Sequence, residues 1–184
     1  IISKMTKDEV YNESLSWAKS NSKSLKNLIE RDSKYFKSII NIEREQEKPR
    51  KDIEHYSMIE DLIWYMYDDI FESKEKTYEW MKITDKKDIT SILDSYINNY
   101  YSETDDKETW FNKIKEMCTS LGYAANMKEY KENPEAFKGN VADISTVLRV
   151  ALTSKSNTPD LYEMMKLFGK ERIKRRYDII KNIK

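Results

Sequence analysis

Helix punctuation recurs along this chain and strand punctuation does not, and that asymmetry limits the fold more than any other feature. Thr6 opens "TKDE", with Glu9 three residues on, the pattern in which two side chains satisfy orphan backbone N–H groups at a helix start. It leads into "EVYNESLSWAKS", where Val10, Leu15, Trp17 and Ala18 supply a core. "SLKNLIERDSKYFKSIINIERE" reads as two short helices with Asp32 as a cap between them. Pro49 biases Lys48 away from helix, so the chain turns at "EKPRKDI". From about Asp52, "IEHYSMIEDLIWYMYDDIF" reads as one strong helix with Ile53, Ile59, Ile63, Trp64 and Tyr67 on a broad apolar face.

The second half carries the same signals. Thr84 and Asp88 bracket the first turn of a helix over "TDKKDITSILDSYINNYY". Gly122 closes "ETDDKETWFNKIKEMCTSLGY" as a left-handed cap. Pro134 and Gly139 break the next stretch into short pieces. "DISTVLRVALTS" is apolar on most sides, which marks a buried central helix. Thr158 and Pro159 then stand as N-cap and first residue of a helix that ends at Gly169. A last helix follows over "KERIKRRYDIIKNIK". Only three Gly and three Pro among 184 residues leave few tight turns for a sheet. The expected fold is all-α, with roughly ten helices. The expected boundary between a first and a second bundle lies between residues 95 and 96.

The chemistry inventory is thin. One His (His55) and one Cys (Cys118) exclude a zinc cluster, a histidine triad and an internal disulfide. There is no Gly-rich phosphate loop. No catalytic and no metal-ligating residue is therefore expected, and His55 and Cys118 read as structural. Nothing approaches twenty apolar residues in a row, so no membrane partner is expected. A reducing cytoplasm suits the cysteine usage.

Net charge is zero, so an acidic partner would have to be held by local patches. Residues 52–79 are strongly acidic, whereas residues 166–184 carry Lys166, Lys170, Arg172, Lys174, Arg175 and Arg176 against few carboxylates. A cationic end of this kind binds phosphate through counterion release. It also suits the C-terminal end of a helix dipole whatever the function. A helical protein-interaction module that docks partners by its charged ends is the competing reading.

"LRVALTSKSNTPDLYEMMKLFGKERIKRR" resembles the C-terminal end of bacterial glutamyl-tRNA synthetases, which are class I aminoacyl-tRNA synthetases. The residues that carry the likeness are Leu148, Arg149, Leu152, Thr153, Pro159, Gly169, Lys170, Glu171 and Arg172. "WFNKIKEMCTSLGYAANMKEYKENPEAFKGN" and "PRKDIEHYSMIEDLIWYMYDDIF" look like the clostridial-type branch, so the resemblance covers essentially the whole chain. It implies two helical anticodon-binding subdomains in series, expected over residues 1–95 and 96–184. The family's Rossmann-type catalytic domain and its two nucleotide-binding signatures are absent from this sequence. ATP and Mg would therefore belong to the full-length ligase, with no cofactor in this part and no activity of its own. The implied partner is tRNA, glutamate tRNA above all, rather than DNA, bound by a monomer.

In this family the anticodon bases are splayed out and read one at a time, which suits unpaired RNA. Carried over by position, the readers are Arg149, Thr158, Pro159 and Leu161 in the second subdomain. In the first, Arg50 is the reader of the third base, with Arg44 as the fallback. Arg44 otherwise joins Lys48, Lys51, Lys170, Arg172, Arg175 and Arg176 as phosphate contacts, which position RNA without reading it. Two departures stand out. Ser154 occupies the family's usual glycine after Leu-Thr, so another backbone path is expected there. Phe168 replaces a leucine before Gly169.

Overall fold

The computed structural model describes residues 1–183, so Lys184 of the basic tail lies outside the described residues. Among these, ten α-helices are joined by short 3-10 turns and one π turn, with no strand. The all-α expectation holds. The chain forms two compact units, Ile1–Lys74 with Thr158–Leu167, and Glu75–Asn157 with the stretch from Phe168 on.

In the first unit, α1 (Lys7–Asn21) starts at the expected capping box. Thr6 N–H donates to Glu9 Oε2 at 2.8 Å and Glu9 N–H to Thr6 Oγ1 at 3.2 Å. Ser22 caps α2 (Lys23–Arg31), and Asp32 caps α3 (Ser33–Ile40) by accepting from Tyr35 N–H at 2.9 Å. Helix α1 packs on both. Val10, Ala18, Leu25, Ile29 and Phe36 are fully buried between them.

The long helix expected from Asp52 does not form. Tyr56–Met58 is a 3-10 turn, α4 (Ile59–Ile63) is short, Trp64–Met66 is another 3-10 turn, and α5 (Asp68–Ser73) follows an extended Tyr67. The reason is the side chains themselves. Ile63, Trp64, Tyr65, Met66 and Tyr67 are consecutive and all buried. A regular surface helix turns about half of any such run to solvent. Tightening at 64–66 and extending at Tyr67 lets all five face inward. Each large apolar side chain so buried contributes about 1.5–3 kcal/mol. Tyr35 Oη donates to Met66 C=O at 2.5 Å, and Trp64 stacks on Phe71 with centroids 6.2 Å apart.

The second unit begins before α6 (Lys86–Ser95). Its N-cap is Asp85, one residue past the expected Thr84, because the carboxylate accepts from both Lys87 and Asp88 N–H groups. A π turn continues it over Tyr96–Tyr100. Asp106 caps α7 (Lys107–Leu121), and Gly122 ends it at φ 88°, as expected. A short α8 (Met127–Glu132) and a 3-10 turn at Pro134–Ala136 lead to α9 (Val141–Thr153). Helix α9 is the buried centre: Ile144, Val147, Leu148, Val150, Ala151 and Leu152 are fully enclosed, with α6 and α7 packed against it. That packing moves the boundary from the expected 95/96 to 74/75. Helix α6 buries Ile89, Ile92 and Leu93 and belongs with α9.

Helix α10 (Leu161–Asn182) contains Gly169 at φ 74°, ψ 167°, so it is two helices joined at a kink, as the sequence implied. Its residues up to Leu167 belong to the first unit and those after it to the second.

Candidate nucleic-acid interface

Three segments hold the expected site residues. The first is the turn after α3. Glu43 adopts φ 55°, and its C=O accepts from Arg50 N–H at 2.8 Å, which closes the intervening loop at its base. The Arg50 side chain is then fixed. Its Nε donates to Asp52 Oδ2 at 2.8 Å and its Nη1 lies 3.9 Å from Glu43 Oε2. Lys48 and Lys51 stand exposed on the same loop. The loop and the chain before α1 line a concavity that includes Met5, Thr6, Lys48 and Lys51.

Arg44 does something else. It is 6% exposed, with Nε donating to Ile40 C=O at 2.7 Å and Nη1 to Ile2 C=O at 2.7 Å. Burial lowers its pKa, opposed by Asp52 and Glu45. Its guanidinium ties the end of α3 to the N-terminal segment. That is a folding role, and it corrects the expectation of a phosphate contact.

The second segment is the end of α9 and the loop after it. Arg149 is half-buried on α9. Thr153 Oγ1 lies 2.9 Å from Arg149 C=O and accepts from Lys155 N–H at 3.0 Å, so the hydroxyl binds helix end to loop. Ser154 adopts φ 69°. That left-handed conformation is one a glycine adopts without strain. Loop residues 154–157 are held from outside by Glu79. Its N–H donates to Ser154 C=O at 3.0 Å, and its Oε1 accepts from Ser156 N–H at 2.9 Å.

The third segment enters α10. The helix starts two residues later than expected. Asp160 is the cap: its Oδ2 accepts from Glu163 N–H, and its C=O accepts from Met164 N–H, both at 3.0 Å. Thr158 and Pro159 precede the helix, and the Thr158 hydroxyl donates to Pro159 C=O at 2.9 Å. Thr158 is 5% exposed and Leu161 3%, so both belong to the interior and only Pro159 of this group is part-exposed. Asp160 N–H donates to Glu43 Oε2 at 3.0 Å. Within one unit, the structure thus brings Arg50 and the start of α10 to the two sides of Glu43. Sequence reading missed Glu43 and Asp160. "DLYE" at 160–163 is a cap pattern that was readable; a left-handed Glu43 was not.

The basic tail divides. Arg176 is 2% exposed, with Nη1 donating to Leu152 C=O at 2.5 Å and its guanidinium carbon 4.3 Å above the Phe168 ring. It satisfies a terminal carbonyl of α9, so the dipole reading holds for it and the phosphate expectation does not. Arg172 also lies over Phe168, at 5.0 Å. The Phe168 substitution thus gives two guanidinium groups an aromatic face. Lys170 and Arg175 are exposed, and Lys170 N–H donates to Glu103 Oε1 at 2.5 Å.

Among the described residues no group of His, Cys, Asp and Glu is placed to hold a metal, and no helix is long and apolar enough to cross a membrane. Burial pushes the Cys118 thiol up to about 12, so it stays protonated at neutral pH. What remains in the first unit is Arg50, fixed by carboxylates, with exposed Lys48 and Lys51 on the same loop.

Residues 123–180 match the family model described as an anticodon binding domain. That stretch takes in α9, the loop after it and most of α10. Over its greater length the chain is similar to glutamate–tRNA ligases. It is 36% identical over 178 residues to the one from Clostridium perfringens, covering 96% of this chain and 32% of that protein. With the ligase of Acetivibrio thermocellus the identity is 36% over 176 residues, again 96% and 32% of the two chains. With that of Sorangium cellulosum it is 33% over 176 residues, 96% and 30%. The likeness read from residues 148–176 therefore extends along nearly the whole chain. The chain spans about a third of the length of these curated relatives.

Proposed function

We propose that this chain is the C-terminal anticodon-binding part of a glutamate–tRNA ligase. In the whole enzyme it would hold the anticodon loop of glutamate tRNA while a catalytic part outside this chain joins glutamate to the tRNA with ATP and Mg. One observation supports this above the others: 96% of the chain aligns with about a third of such ligases. Holding a remote part of a substrate contributes to rate by placing the reacting end correctly.

The residues divide by what they can do. Arg50 is held by Asp52 and Glu43 in one orientation, which suits a side chain that reads a base edge. Arg149 in the second unit is half-buried and Pro159 in the first is part-exposed, and each is a separate candidate for base contact. Lys48, Lys51, Lys170 and Arg175 are exposed and suit phosphate. Thr158 and Leu161 act from the interior, by fixing the path into α10.

Binding to glutamate tRNA across a salt series tests this, beside the same tRNA with its third anticodon base changed. The native tRNA is expected to bind more tightly at every salt concentration. Arg50→Ala is expected to lose that preference, about 1–3 kcal/mol, and to leave the salt slope nearly unchanged. Equal binding of both tRNAs that vanishes with salt would overturn base reading and leave an electrostatic surface. The chain alone is expected to show no ATP–pyrophosphate exchange.

A further inference from the structure

Residues 75–80, ahead of α6, form a strap that lies outside any helix. It is anchored at Glu79 to the loop after α9 by three hydrogen bonds: Glu79 N–H to Ser154 C=O, and the Ser156 N–H and hydroxyl to Glu79 Oε1 at 2.9 and 3.4 Å. In an extended chain residues i and i+2 point the same way. Tyr78 and Trp80 do so here. Their rings stack with centroids 5.4 Å apart and planes 9° from parallel.

We propose that Tyr78 and Trp80 form a stacking platform for an unpaired nucleobase of RNA. The inference rests on the anticodon-binding reading and adds to it a contact outside the positions carried over from the resemblance. Four observations support it. Both residues are part-exposed, although the Tyr78 hydroxyl itself is buried. Trp80 is followed by Met81, which is 64% exposed and held at φ 66°, an uncommon backbone state for a residue other than glycine. Cations stand beside the rings: Lys76 lies 6.0 Å from the Tyr78 ring centroid, and Lys82 and Lys155 are exposed or part-exposed, alongside exposed Glu75 and a Glu79 carboxylate that accepts from Ser156. Lastly, the strap is bonded to residues 154–156, the loop that directly follows the helix carrying Arg149. Two parallel rings with cations beside them are the combination that single-stranded nucleic acid uses, a flat face for the base and charge for the backbone. A protein partner would more naturally call for a larger apolar surface than two rings and one methionine.

The test is binding of the complete chain to the anticodon stem-loop of glutamate tRNA. Trp80→Ala is expected to weaken binding roughly 5- to 100-fold, the range for losing one base–aromatic stack. Trp80→Phe, which keeps a ring, is expected to keep most of the affinity, and neither variant is expected to change the salt slope. A second measurement needs no variant: the stem-loop carrying 5-iodouridine at single loop positions is irradiated with the unaltered chain, and the adduct is mapped by mass spectrometry. Cross-linking to Trp80 or Tyr78 from one loop position is expected. If the unaltered chain binds the stem-loop, Trp80→Ala binds within about twofold of it, and the cross-links map elsewhere, the platform is wrong and the anticodon reading stands. The ring pair would then serve packing or a protein partner. If the unaltered chain does not bind the stem-loop at all, the anticodon reading fails and the platform falls with it.

Discussion

Ser154 carries two penalties at one position. Its φ of 69° is a left-handed conformation that costs an L-residue roughly 1–2 kcal/mol. Its hydroxyl is buried with no hydrogen-bond partner, a further cost of about 1–3 kcal/mol. Ser154→Gly removes both. It gives back about 0.5–1 kcal/mol through the freer unfolded chain. The net expectation is a stabilisation of about 1 kcal/mol or more, read as a rise of about 2–4 °C in melting temperature. An unchanged or lower melting temperature would mean that the serine is better accommodated than its geometry implies. Here the serine stands where the family usually has glycine, and the cap hydrogen bond from Ser154 N–H to Val150 C=O, at 2.7 Å, holds it in a conformation that strains a side chain. Arg44 and Arg176 teach a related lesson. A guanidinium in the sequence reads as a surface charge. Only the fold shows that both are spent on carbonyls inside it.

Individual helices were legible where a cap announced them. Thr6, Asp32 and Gly122 each act as their sequence context predicts, because capping is decided within a few residues. Helix α9 was legible because its apolar residues fall on most of its sides. Two starts slipped, Thr84 to Asp85 and Thr158 to Asp160. In both cases an aspartate nearer the helix outcompetes the threonine, as its carboxylate is the stronger acceptor for a helix N-terminus. Asp160→Ala is therefore expected to cost about 1 kcal/mol, seen as a lower urea midpoint, while Asp160→Asn is expected to lose little. Equal stability of the alanine variant would show that another group caps α10. The break at 63–67 was not legible, because periodicity records which residues are apolar and not that all five of a run must be buried together.

For the molecule as a whole, the buried hydroxyl and thiol groups predict how it responds to base. Burial raises the pKa values of Tyr67, Tyr96, Tyr177 and Cys118, the thiol to about 12 from 9.0. In the unfolded chain these groups ionise at their ordinary values, while in the folded chain they stay protonated. Their contribution to stability is complete below about pH 9 and is lost as pH rises through the folded values. Each adds a slope of about 1.4 kcal/mol per pH unit over that interval. Unfolding free energy measured from pH 8 to 11 is expected to fall steeply, with tyrosinate absorbance appearing together with loss of helicity. Tyrosinate that appears first would mean that the rings ionise in place. At this scale the fold class was open to sequence reading, since caps and apolar faces add up along the chain. The grouping of helices was not, since it depends on which distant faces meet, as α6 and α9 do. The same holds for the candidate site. Arg50 and the entry to α10 were found separately, but only the fold brings both to Glu43, 117 residues before Asp160.

The order of the units along the chain has its own consequence. The polypeptide leaves the first unit after Lys74, returns at Thr158 and leaves again after Leu167. Gene order and unit order are therefore interleaved, and no single cut yields both units intact. A stop codon after Asn157 would take Met164 and Met165 from the interior of the first unit and Phe168, Ile173 and Tyr177 from that of the second.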